Sequence, residues 1–169
     1  MNEPAKPILN VADAAFTRDL KHGDKFEARV APIGQHIGAR KLGYNVTAVP
    51  PGKRAFPFHN HHANEEMFLI LEGSGVLRFG NQELPVRQGD VIACPPGGPE
   101  VAHQIINTGP VELRYLAVST AIDTDIFQYP DSGKFGAVGG RQPGTPPASA
   151  TFAGKFVPEN ADVDYWHGE

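Results

Sequence analysis

Cysteine is almost absent from the 169-residue sequence, which contains Cys94 alone. A single cysteine cannot form an internal disulfide or build a thiolate zinc site. Its apolar neighbours predict a buried, inert thiol. The lack of disulfides favours a reducing compartment, and the first residues contain no apolar stretch long enough for a signal peptide. We therefore expect a cytoplasmic protein.

Clusters of basic residues and long apolar runs are also missing. Lys and Arg number 15 against 19 Asp and Glu, so the net charge is −4 and the basic patch typical of nucleic-acid-binding proteins is absent. No window approaches the ~18 apolar residues that a membrane-spanning helix requires. We predict neither a nucleic-acid partner nor membrane insertion.

Convincing amphipathic helices are absent as well, whereas turn formers are abundant, with 19 Gly and 16 Pro. The segment from Leu42 to Val49 alternates in the period-two pattern of a strand. About eight or nine short segments of this kind, separated by turn residues, predict an all-β sandwich or barrel. The main predicted strands cover residues 42–49, 56–61, 66–71, 75–79, 82–86, 91–94, 101–106 and 111–119.

The length of the chain fits one domain. We predict an N-terminal arm over residues 1–24, a barrel over 25–138 and a linker over 139–150, whose sequence is GGRQPGTPPASA. The tail over residues 151–169 contains several aromatic residues, which a disordered tail would not usually carry. We expect the tail to pack on the barrel or on a partner subunit.

Three histidines fall within four positions, at His59, His61 and His62. Side chains two residues apart on a strand share a face, so His59 and His61 point to one side and His62 to the other. Glu66 opens the next predicted strand, and a hairpin would bring it within reach of them. His103 lies far along the chain and would close the group across the barrel.

Three imidazoles and one carboxylate suit a transition metal better than Ca or Mg. The group therefore predicts one divalent ion, Zn, Mn, Fe or Ni, with one or two positions open. Each residue taken alone has an ordinary alternative. The histidines of one strand are then surface residues, Glu66 is a solvated carboxylate, and His103 is a hydrogen-bonded structural histidine.

The segment PGKRAFPFHNHHANEEMFLILEGSG resembles the first motif of the cupin family, G-x5-H-x-H-x(3,4)-E-x6-G. His59 and His61 supply the two histidines, and Glu66 has the required spacing to Gly73, whereas the neighbouring Glu65 does not. Gly52 departs from the motif by one residue.

The segment GDVIACPPGGPEVAHQIIN resembles the second cupin motif, G-x5-P-x-G-x2-H-x3-N. Gly89, Pro95, Gly97, His103 and Asn107 match it. The departure is the spacing from Gly97 to His103, which is five residues rather than two, and a lengthened loop would absorb the difference.

The resemblance implies a double-stranded β-helix (jelly-roll) barrel with the metal in its mouth, and a homodimer. The run from Tyr129 to Lys134 is similar to a subgroup of small bacterial cupins that are described as sugar-phosphate isomerase-like. Phe68 and Ile70 share the parity of Glu66 and are expected to line the pocket with Leu77. Tyr44 is a further candidate lining residue, although the register of its strand is open.

Three functions stay open at this point. A metal with an open coordination position would bind a small-molecule ligand, a sugar or an organic acid, and this favours an isomerase-like enzyme. The same motif fits a binding or sensor module without catalysis, because fold does not dictate function. An iron-dependent dioxygenase is the third, with an apolar pocket formed by Phe68, Ile70 and Leu77. The sequence identifies no general acid or base.

Overall fold

A computed structural model describes residues 6–140, 152–153, 156–161, 163–164 and 166–168. These residues form 14 strands and no α-helix, which confirms the predicted all-β class. Among them there is no helix with the length and apolarity needed to cross a bilayer. The strands are β1 Arg18–His22, β2 Phe26–Pro32, β3 Leu42–Val49, β4 Asn60–His61, β5 Glu66–Glu72, β6 Ser74–Phe79, β7 Gln82–Arg87, β8 Val91–Cys94, β9 His103–Ile106, β10 Leu113–Thr120, β11 Asp125–Tyr129, β12 Lys134–Gly139, β13 Phe152–Ala153 and β14 Val157–Pro158.

The strands form three antiparallel groups. A six-stranded sheet has the order β1-β2-β3-β10-β5-β8, and a three-stranded sheet has the order β7-β6-β9. A further sheet runs β13-β12-β11-β4, and β14 also pairs with β12. One hydrophobic cluster takes residues from β5 and β10 of the first sheet and from β6, β7 and β9 of the second, so the two sheets enclose a common core.

Alternation along β3 separates two cores. Val49 joins the main cluster, together with Phe68, Ile70 and Leu77. Val46 and Tyr44 belong to a second cluster, which packs around Ala31 and Ile33 on the other face of the sheet. Of the four residues predicted to line the pocket, three therefore lie together in the main core. Tyr44 faces away from it.

The predicted hairpin between the histidine strand and the Glu66 strand is wrong. Only Asn60 and His61 of the predicted 56–61 run lie in a strand, and β4 pairs with β11. The physical reason is that both edges of β5 are occupied, by β10 on one side and β8 on the other. Instead, the short loop between β4 and β5 places Glu66 beside the histidines.

Six of the described strands went unpredicted, namely β1, β2, β11, β12, β13 and β14. β1 lies in the predicted N-terminal arm and pairs with β2. β11 and β12 pair with each other, although β12 is glycine-rich. Glycine is needed at position 136, where a Cβ atom would lie 2.3 Å from Cε2 of Phe127. Gly139 ends β12, and positions 141–150 of the predicted linker lie outside the described residues.

Cys94 is buried at the end of β8, as its apolar neighbours predict. Burial, helped by the negative charge of Glu66, raises the pKa of the thiol to about 12. A thiol that stays protonated at neutral pH is a poor nucleophile and a poor metal ligand. Cys94 is therefore a core residue.

Candidate metal centre

The four predicted metal ligands come from three separate parts of the fold. His61 lies in β4, Glu66 begins β5 and His103 begins β9. His59 stands just before β4, and its backbone exchanges two hydrogen bonds with that of His103, at 3.2 and 2.8 Å. This bridge explains how a histidine 44 positions along the chain is placed beside the H-x-H segment.

The side chains converge on one oxygen of Glu66. Nε2 of His59 and Nε2 of His61 each lie 3.7 Å from Oε2, and Nε2 of His103 lies 2.9 Å from it. The candidate ligand atoms of His59, His61 and Glu66 are all within 4.8 Å of one another. His103 lies outside that mutual set, but its ring centre is 4.7 Å from the ring centre of His59. A histidine–histidine–glutamate group of this kind is able to hold a metal ion.

Each histidine also has an acceptor at its other ring nitrogen. Nδ1 of His59 lies 2.8 Å from the carbonyl oxygen of Pro57, and Nδ1 of His103 lies 3.3 Å from that of Val101. Nδ1 of His61 lies 2.6 Å from Oδ2 of Asp125. For His59 and His61, an acceptor beside Nδ1 favours the ring proton there, which leaves the lone pair of Nε2 for a metal. Nε2 of His103 instead donates its proton to Oε2 of Glu66, and a metal would take the place of that proton.

The charges at the site favour an ionised carboxylate. Burial alone would raise the pKa of Glu66, but the hydrogen bond with His103 and the charges of the other histidines outweigh it and lower the pKa to about 2. Burial lowers the pKa of His59 to about 4, against the opposing effect of Glu66. Glu66 is therefore charged and His59 neutral at physiological pH, which are the forms that bind metal.

His61 titrates in the opposite direction. Burial disfavours its protonated form, but the hydrogen bond to Asp125 and the charges of Glu66 and Asp125 together raise its pKa above 6.5. Protonation of His61 therefore competes with metal binding more strongly than at an ordinary histidine, since only the neutral ring ligates.

We expect metal affinity to fall by about tenfold for each pH unit below 6.5, because one proton competes with the ion at His61. Competition titrations with a chromophoric chelator at pH 5.5, 6.5 and 7.5 measure this slope. An affinity that stays constant across this range would contradict the ligand role of His61.

Asp125 is the functional residue that the sequence reasoning missed. It is 2% exposed and accepts hydrogen bonds from the backbone of Ala63 at 2.9 Å and from Nδ2 of Asn64 at 2.8 Å, in addition to His61. Burial would raise its pKa, but these hydrogen bonds, that of His61 first, lower it to about 2. The alternation of Asp125, Phe127 and Tyr129 is the one sequence signal that indicates a strand here.

Aromatic rings from β11 cover the histidines. The ring of Phe127 lies 6.1 Å from that of His61, and the ring of Tyr129 stacks on that of His59 at 5.9 Å and 22°. Phe156, from the tail, contacts both aromatic rings at 5.9 and 5.7 Å. β11 therefore forms one wall of the candidate metal site, and Phe156 of the tail packs on the aromatic rings of that wall.

The residues excluded by face and spacing lie apart from the cluster. His62 is exposed and hydrogen-bonds through Nε2 with Oε1 of Gln128. Glu65 is exposed as well, and its backbone N–H donates to Thr120. Phe68 borders the site through its ring, 5.7 Å from that of His103, while Ile70 and Leu77 are buried in the main core.

Comparison with known proteins places this site in a family. The Cupin domain family model matches residues 45–119, a range that includes the four predicted ligands and ends before Asp125. Uncharacterized protein MJ1618 of Methanocaldococcus jannaschii is 39% identical over 127 residues, which cover 73% of this chain and 89% of the relative. An oxalate-binding protein of Thermotoga maritima is 36% identical over 70 residues, 41% of this chain and 54% of that protein.

A solved structure shares the whole architecture. The sugar phosphate isomerase of Silicibacter pomeroyi, a cupin superfamily protein, superposes with a TM-score of 0.75 over 95% of this chain and 98% of its own. At 21% identity this likeness concerns the fold, which is the double-stranded β-helix that the two sequence motifs imply. By domain match, relative and architecture, the chain belongs to the cupin superfamily.

Proposed function

We propose that the protein holds one divalent transition-metal ion with His59, His61, Glu66 and His103. The remaining coordination positions bind a small oxygen-rich ligand, a sugar phosphate or an organic acid, in an isomerase-like reaction. One observation carries the proposal: three Nε2 atoms lie within 3.7 Å of a single Glu66 oxygen. Such a cluster of lone pairs around an anion is favourable when a cation occupies its centre.

A bound ion would supply a Lewis acid that polarises a carbonyl or hydroxyl oxygen of the ligand. The protein's own residues do the rest of the work. Glu66 contributes the negative charge that offsets the ion, and Phe127 and Tyr129 exclude water from one side. Burial and the charge of Glu66 raise the pKa of Tyr129, so its phenol stays protonated and is available as a hydrogen-bond donor.

Similar proteins support an oxygen-rich ligand. The Silicibacter pomeroyi structure is named a sugar phosphate isomerase, and the Thermotoga maritima relative is named an oxalate-binding protein. Both ligands are anions that carry adjacent oxygen atoms able to chelate a metal.

A second candidate is a binding module without catalysis. The favouring observation is that the one carboxylate in the histidine cluster, Glu66, contacts three imidazoles and is held by them rather than left free as a base. The relative named for oxalate binding points the same way. Turnover of a bound ligand, followed by NMR of the sugar, separates the two functions.

The test combines metal analysis with a ligand screen. Protein purified without chelators is expected to contain about one equivalent of metal, and sugar phosphates or organic acids are expected to raise its melting temperature by mass action. The same compounds should produce no shift after the metal is removed. A shift that persists without metal would contradict the proposal. The same proposal includes a homodimer, which light scattering tests. A mass of twice 18.2 kDa supports the dimer, and a mass of 18.2 kDa contradicts it.

A further inference from the structure

One face of the sheet that contains β4 extends the site beyond the metal ligands. Alternate residues of a strand share a face, and so do directly paired residues of neighbouring strands. The register pairs His61 with Phe127, and it pairs Tyr129 with Lys134. When the pairing of β4 with β11 is continued by two residues, His59 stands opposite Tyr129, and the two rings stack there. His59, Tyr129 and Lys134 therefore form a row on the face that presents the histidines.

Lys134, a half-buried residue, ends this row. Its Nζ lies 5.1 Å from the ring centre of Tyr129 and 5.6 Å from that of Phe156. With 5.9 Å between the Tyr129 and His59 rings, Nζ is at most about 11 Å from the His59 ring centre. Among the residues that the structure describes, no carboxylate forms an ion pair with Lys134, and its amine faces the rings of Tyr129 and Phe156.

We propose that Lys134, with Tyr129 beside it, binds the anionic group of a ligand whose other end is held at the metal. This pair selects a phosphate- or carboxylate-bearing ligand over a neutral sugar. The inference rests on the proposed function, because it assumes a ligand at the metal, and it adds the residues that recognise the charge of that ligand.

The chemistry of the row fits such a ligand from end to end. A hexose phosphate or similar molecule is long enough to join a metal at His59 to an amine within about 11 Å of that ring. The Tyr129 phenol lies between the two and offers a neutral hydrogen-bond donor. The aromatic faces of Phe127 and Phe156 suit the C–H surface of a sugar.

The experiment measures binding by calorimetry to the metal-loaded full chain, with fructose 6-phosphate, fructose and gluconate as probes. Lys134→Met keeps the aliphatic stem that packs on the rings and removes the charge. Lys41→Met, at an exposed position, removes the same charge elsewhere and is the matched control. Tyr129→Phe keeps the stacked ring and removes the hydroxyl. Metal content is measured for every variant, so that ligand binding and metal binding are read separately.

We expect Lys134→Met to weaken binding of at least one anionic probe by at least about tenfold, with fructose binding and metal content unchanged. Loss with fructose 6-phosphate identifies a phosphate as the anionic group, and loss with gluconate identifies a carboxylate. Tyr129→Phe should weaken the same probe, and Lys41→Met should match the wild type. Equal binding of both anions by Lys134→Met and wild type would overturn the inference alone. Failure of the metal-loaded wild type to bind either anion would overturn it together with the proposed function.

Discussion

Glu66→Gln is expected to reduce metal affinity by more than about a hundredfold while the barrel stays folded. The carboxylate supplies the one negative charge on which the three imidazoles converge, and its neutral amide offers a weaker oxygen and an N–H that faces Nε2 atoms. Loss of a ligand should exceed the effect of about 10–100-fold that is typical of residues behind the ligands. Metal content after dialysis, measured by mass spectrometry, gives the result directly.

Glu65→Gln is the matched control, because Glu65 is the adjacent carboxylate and is exposed. It should retain about one equivalent of metal. Thermal unfolding of both metal-free variants shows whether the fold is intact. Metal retention by Glu66→Gln, or metal loss by Glu65→Gln, would contradict the assignment that the spacing to Gly73 predicts.

Asp125→Asn is expected to weaken metal binding by about 10–100-fold, although Asp125 is not a ligand. All three of its partners are donors, namely His61, Ala63 and Asn64. A carboxamide has one acceptor oxygen, so its amino group must face at least one of these donors. Facing His61, it would move the ring proton to Nε2, where a metal should bind. If the amino group faces Ala63 instead, the tautomer of His61 is unchanged, but the negative charge beside its Nδ1 is lost.

Asn64 cannot relieve this conflict by turning its amide. Its Oδ1 accepts hydrogen bonds from Oγ1 of Thr120 at 3.0 Å and from the backbone of Ile122 at 2.9 Å. Asp123→Asn, at an exposed position on the same segment, is the control and should leave metal affinity unchanged. The visible spectrum of the cobalt-substituted protein reports the ligand field independently of affinity. An unchanged spectrum and affinity in Asp125→Asn would show that Asp125 does not position His61.

The shared face of His59 and His61 was predictable because it depends on local geometry, whereas Glu66 was predicted from the motif spacing to Gly73. His59 and His61 share a face through their separation of two residues, and His62 is turned outwards by the same alternation. The second motif identified His103 even though the loop before it is longer than the motif allows. That loop contains a short 3₁₀ turn at Pro99–Val101, after which the strand resumes at His103.

Asp125 could not be predicted, because its partner His61 lies 64 positions away in the chain. No local pattern states that β11 lies beside β4. The Gly-rich β12 also gives no strand signal, and it is a strand because it pairs with β11, where the ring of Phe127 lies against Gly136. The family match ends at residue 119, so the part of the site contributed by β11 and β12 lies beyond the region that carries the motifs.

The predicted pocket-lining residues also divide into those fixed by local alternation and those fixed by pairing between distant strands. Phe68 and Ile70 follow the parity of Glu66 on one strand and lie in the main core. Tyr44 lies on β3, and its direction depends on which way the whole strand faces in the sheet. Pairing with β10 fixes that register and turns Tyr44 to the second cluster.

Anomalous diffraction from crystals grown with the metal that co-purifies can locate the ion that we propose between the three imidazoles and the carboxylate. We expect a single strong peak bound by Nε2 of His59, His61 and His103 and by Glu66, with Asp125 still hydrogen-bonded to Nδ1 of His61. A peak bound elsewhere, or histidines ligating through Nδ1, would contradict this proposal.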